Sequence, residues 1–154
     1  MEERQESLWQ ALGPRTIAIG ALATSAVVHS ALVFEHWGEL LLAGSFAAAA
    51  IAAAVVAFAL TRVEVGIAPR AAAALFGSLL LTYPVVYAVR GDPVDALGVA
   101  TKLVEAVGLL AAFRARNDRD VSLAPVTAIA GFLLAFLLLS VAGESHTHTN
   151  GHLH

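Results

Sequence analysis

Two histidines and two carboxylates fall within eleven residues of a chain otherwise poor in charge. The stretch HSALVFEHWGEL, 29–40, holds His29, Glu35, His36 and Glu39 between two apolar runs. Imidazole and carboxylate together can ligate a divalent transition metal. Inside a membrane the same groups can bind and pass protons. A second cluster lies in ALGVATKLVEAVGLLAAF, 96–113, where Lys102 and Glu105 stand three residues apart. That spacing puts base and acid on one helical face, close enough to neutralise each other. A third closes the chain: ESHTHTNGHLH carries His146, His148, His152 and His154. Two His-x-His pairs in a short polar tract suit zinc, copper or nickel. The chain has no cysteine, which removes thiolate metal sites, disulfides and thiol redox chemistry.

The elements that must position these groups follow from composition. Of 154 residues, 58% are hydrophobic and 14% charged, against roughly 45–50% and 25% in soluble domains. A soluble chain of this size has too much surface to hide so much apolar area, which leaves lipid as its solvent. Five apolar runs approach the length of about 20 residues that crosses a bilayer core. They cover about 16–36, 40–61, 71–89, 96–113 and 124–142. The segment 1–15 is expected to be cytoplasmic, with Trp9 at the interface, and 143–154 forms an extracytoplasmic tail. The acidic start, with Glu2, Glu3 and Glu6, is the wrong flank for a signal peptide.

The fourth run is the doubtful one, because each charge at a span centre costs about 2.5–3.5 kcal/mol. Arginine placement argues that it crosses. With five spans and the amino end inside, Arg4, Arg15, Arg62, Arg70, Arg114, Arg116 and Arg119 lie inside and Arg90 outside. That is the positive-inside pattern. Without the fourth crossing, Arg90, Lys102, Arg114, Arg116 and Arg119 would all lie outside. The expected architecture is therefore an all-α, up-down bundle of five transmembrane helices, amino end in and carboxyl end out.

Counting rises of 1.5 Å per residue sets the depths. His29 falls about 12 Å below the outer interface, Lys102 about 10 Å, Glu105 about 15 Å and Tyr83 about 10 Å, with Tyr87 one turn above it. Ser25, His29 and His36 share a face of the first span; Glu35 points elsewhere. Gly98, Thr101, Lys102, Glu105, Gly108 and Ala112 form a small or polar stripe that should face the bundle interior. These residues predict a His/Glu pocket in the outer half, opening outwards. Two rows of small residues, Gly44/Ala48/Ala52 and Ala49/Ala53/Ala57, are expected to pack within the bundle, as are Gly131 and Ala135. Pro84 removes a hydrogen bond from the third span and is expected to kink it.

The order His29, five residues, Glu35, His36, Trp37, one residue, Glu39, followed by an apolar helix and later by the Glu105 helix, resembles a group of small multi-pass membrane proteins of actinobacterial type. The likeness covers the first 60 residues and part of the fourth span. Phe34 stands where that pattern usually has proline, and the second helix lacks its usual glutamine. The resemblance implies a site at His29, Glu35, His36, Glu39 and Glu105 and implies no activity.

The function these residues favour is handling of a divalent transition metal, with zinc or copper as possible cofactor. His29, Glu35, His36, Glu105 and the four tail histidines would be ligands, with Lys102, Tyr83 and Tyr87 lining the pocket. Alternatives are a proton-coupled small-solute carrier or a non-catalytic subunit of a larger membrane complex. No Ser-His-Asp set, phosphate loop or H-E-x-x-H appears, so an enzyme is not expected. Net charge is −3 with no basic stripe, which argues against nucleic acid. Expected partners are the lipid of the plasma membrane and a second copy or complex subunits.

Overall fold

The computed structural model describes residues 13–62, 67–90 and 95–115. These form four helices: α1 (Pro14–Glu35), α2 (Leu40–Arg62), α3 (Ile67–Arg90) and α4 (Ala96–Arg114). Each is long and apolar enough to cross a membrane. The fifth expected span at 124–142, with Gly131 and Ala135, lies outside the described residues, as do the segment before Gly13 and the histidine tail.

Local chemistry sets the ends. Pro14 opens α1, where its fixed φ suits a first helical turn and its missing N–H is not needed. The His36 N–H closes α1 onto Leu32 O at 3.1 Å, and the Glu39 N–H returns to His36 O at 2.8 Å. This makes a tight helix–helix turn. Asp95 caps α4, its carboxylate accepting from the Gly98 N–H at 2.6 Å, and satisfies a donor that the first turn leaves over.

The four helices pack as a square in chain order, with α4 returning against α1 and only slight contact between α1 and α3. Cross-helix partners show that neighbours run antiparallel. Arg15, at the start of α1, donates from Nε to Leu60 O near the end of α2 at 2.8 Å. Glu39, just before α2, pairs with Arg90 at the end of α3 at 2.7 Å. Lys102, early in α4, meets Leu79 O in α3.

The core is made of small residues around a few large ones: Ala18, Ile19, Leu22, Ala53, Leu60, Ala72, Phe76 and Ala112 are all buried. Gly108 lets this happen. A Cβ there would overlap Phe76 Cζ and lie 2.7 Å from its Cε2 and 2.8 Å from Ala21 Cβ, so α1, α3 and α4 meet through a missing side chain. The two small rows of α2 separate. Ala53 is fully buried, with Ala49 and Ala57 half-buried beside it, whereas Gly44 and Ala48 are exposed. The expectation that both rows pack inside is corrected for the first: a Cβ on Gly44 would meet nothing within 4 Å. Pro84 lies inside α3, whose helix continues to Arg90.

Candidate functional site

The stripe on α4 faces inward as its spacing requires. Thr101, Glu105, Gly108 and Ala112 are buried, and Gly98 and Lys102 are half-buried. Glu105 is wholly enclosed at 0% exposure. A buried carboxylate requires partners for both oxygens, and both have them. Lys102 Nζ lies 2.6 Å from Oε2. The Ser25 hydroxyl donates to Oε1 at 2.9 Å.

Ser25 extends the network to α1's histidine. His29 Nδ1 lies 2.8 Å from Ser25 O and 3.3 Å from Ser25 Oγ. A carbonyl can only accept, so Nδ1 carries the proton and Nε2 of the neutral ring holds the lone pair. His29 and Glu105 are therefore linked through Ser25 rather than paired directly. Spacing had placed Ser25 on the face of His29 through its i, i+4 relation; its bond to Glu105 is what spacing did not show.

Lys102 is held from three sides. Its ammonium pairs with Glu105, donates to Leu79 O at 3.4 Å and stands 5.2 Å from the centre of the Tyr83 ring, within cation–π range. A glycine one turn earlier on α4 makes room for that ring. Gly98 admits the Tyr83 ring, since a Cβ there would overlap the phenol and lie 3.1 Å from Cζ. Tyr83 thus packs at the site; Tyr87 is placed on α3 one turn on, and its side chain lies outside the described residues.

The residues nearer the α1–α2 turn behave differently. Glu35 is exposed. His36 is half-buried, its ring edge-on to Phe46 of α2 at 5.3 Å between centroids. His29 meets the same Phe46 ring at 5.9 Å. Glu39 is engaged by Arg90 through both guanidinium nitrogens. An open pocket of about 760 Å³ lies at this end, between Gly38–Ser45 and Val85–Arg90. It is mostly apolar, and its lining does not include His29, Ser25, Lys102 or Glu105.

This arrangement does not suit a metal. The ammonium of Lys102 already occupies the cation position at Glu105, and Ser25 takes the other oxygen. Among the described residues no group of three or more His, Asp or Glu could hold a metal ion. His146, His148, His152 and His154 lie outside them. What the geometry offers instead is an unbroken series of exchangeable protons from His29 to Glu105.

Protein-family models, curated proteins and solved structures were all compared with the chain, and none matches it. The reading of the site rests on its own chemistry.

Proposed function

We propose that this is a multi-pass plasma-membrane protein that works as a proton carrier, able to move protons whether or not a small solute travels with them, with Glu105 as the group that is protonated. The chain crosses five times, amino end inside and histidine tail outside, so that the α1–α2 turn faces out and the Glu105 network lies in the outer half of the bundle.

One observation carries the reading: a wholly buried acid is paired with a half-buried base among helices long enough to span lipid, and a serine joins the acid to a buried imidazole. As a fastener such a pair is a poor choice, because apolar residues of similar volume hold a core at least as well. Ionisable groups at membrane depth characteristically mark ion or proton pathways. The proposed transfer balances. A proton arriving at His29 Nε2 lets Nδ1 release its own to Ser25 Oγ, while the Ser25 hydroxyl proton passes to Glu105 Oε1. The result is a neutral carboxyl and a Lys102 without its counter-charge. That changes the energy of the packed state, which is how a bound proton biases one conformation over another.

The test is proton movement in proteoliposomes under an imposed pH gradient, read with an enclosed pH dye. Wild-type protein should move protons, and Glu105→Gln, folded to the same extent, should not. Equal rates for the two, or a wild-type rate no greater than that of empty vesicles, would sink the proposal.

A further inference from the structure

The Phe46 ring lies in contact with two imidazoles at once, that of His36 beside the turn and that of His29 beside the Ser25–Glu105 network. We propose that Phe46 is the gate of the proton pathway: in the packed state it separates an outer proton donor, His36, from the inner acceptor, His29. This deepens the proposed function and rests on it.

On the inner side, the Nδ1 proton of His29 is committed to Ser25, so a proton from outside must arrive at Nε2. Beyond His29 stand Ser25, Glu105 and Lys102, with Tyr83 against the ammonium. On the outer side His36 is half-buried at the turn, flanked by exposed Glu35 and by the Glu39–Arg90 pair. The His36 backbone is fixed by hydrogen bonds at both its N–H and its carbonyl. The imidazole is therefore held at one place against α2.

Between the two lies a ring with neither donor nor acceptor. Proton transfer needs hydrogen-bond reach, directly or through one water. Centroid separations of 5.9 and 5.3 Å, on rings tilted by 58° and 79°, are van der Waals contacts with phenyl carbon. No proton passes through it. A rotation of Phe46 about its χ angles would vacate a space bounded by two imidazoles, which is polar enough to hold a bridging water.

Three variants test this in the same proteoliposomes: Phe46→Ala, Phe46→Leu, and Phe46→Ala combined with Glu105→Gln. Phe46→Ala should raise proton conductance at least tenfold and expose His29 to modification by diethylpyrocarbonate. Phe46→Leu, which restores an apolar plug, should return both towards wild type. The double variant should be as tight as Glu105→Gln alone; a leak persisting there would run through a damaged bundle and would overturn the gate. Unchanged conductance in Phe46→Ala, with Glu105→Gln still abolishing wild-type flux, would remove the gate and leave the carrier. No flux in any variant would remove both.

Discussion

The Ser25 hydroxyl stands between His29 and Glu105, giving its proton to Glu105 Oε1 at 2.9 Å while His29 Nδ1 approaches the same oxygen at 3.3 Å. One hydroxyl thus joins an imidazole on α1 to a carboxylate on α4. It also ties the two helices where Ser25 and Glu105 are both at 0% exposure. Ser25→Ala should leave Glu105 short of a donor and lower stability by about 1–3 kcal/mol. It should also reduce proton flux to the Glu105→Gln level, while Ser25→Thr, which keeps the hydroxyl, retains flux. Thermal melting in detergent and the vesicle assay read the two effects; full flux in Ser25→Ala would show that the proton takes another route.

Lys102 and Glu105 form a closed pair, so their substitutions should couple. Lys102→Met strands a carboxylate at 0% exposure and should destabilise by about 3–5 kcal/mol. Adding Glu105→Gln to it should recover much of that loss. A double-mutant cycle measured by denaturation in detergent reads the coupling. Simple additivity would show that the pair is not the energetic unit described.

Gly108 and Gly44 are both helical glycines in opposite circumstances. A methyl group at Gly108 meets Phe76 and Ala21, so Gly108→Ala should overpack the three-helix contact and cost about 1–3 kcal/mol. Gly44→Ala meets nothing and should be neutral or stabilise by up to about 1 kcal/mol. Melting temperatures of the two variants, moving in opposite directions or only the first moving, would bear this out.

The absence of cysteine makes topology directly measurable. Arg119→Cys should react with a membrane-impermeant maleimide only after the membrane is opened, and Ser145→Cys should react in intact cells. Labelling of both from the same side would remove the fifth crossing.

Zinc binding separates the tail from the bundle. A chain ending at residue 143 should retain no stoichiometric zinc after dialysis, because Lys102 and Ser25 occupy both Glu105 oxygens. One equivalent held by that chain, and lost in Glu105→Gln, would restore a metal reading of the buried site.

Much of this was legible in residue spacing. Lys102 and Glu105 at i, i+3 place themselves on one face in any helix, and counting rises brought Tyr83, His29 and Glu105 to one depth. What the spacing could not provide was the partner of each group. Nothing in one dimension says that Ser25 rather than His29 meets Glu105, since that depends on the rotation of α1 about its axis. Phe46 was illegible for the same reason: an aromatic in an alanine-rich helix reads as packing until its two neighbours are known. The rows of small residues on α2 misled because a repeat of four identifies faces but not which one turns inward. Polar residues at one depth suggested a pocket, and the spacing could not show that Ser25 and Lys102 each bond an oxygen of Glu105.

Arg15 carries a consequence for how the chain is made. The residue is 4% exposed and its guanidinium donates to a carbonyl 45 residues further along. During synthesis the first helix emerges before Leu60 exists, so this tie forms only once the second helix has been made. A ribosome stalled short of residue 60 would hold a first helix that lacks its Arg15 link to the second.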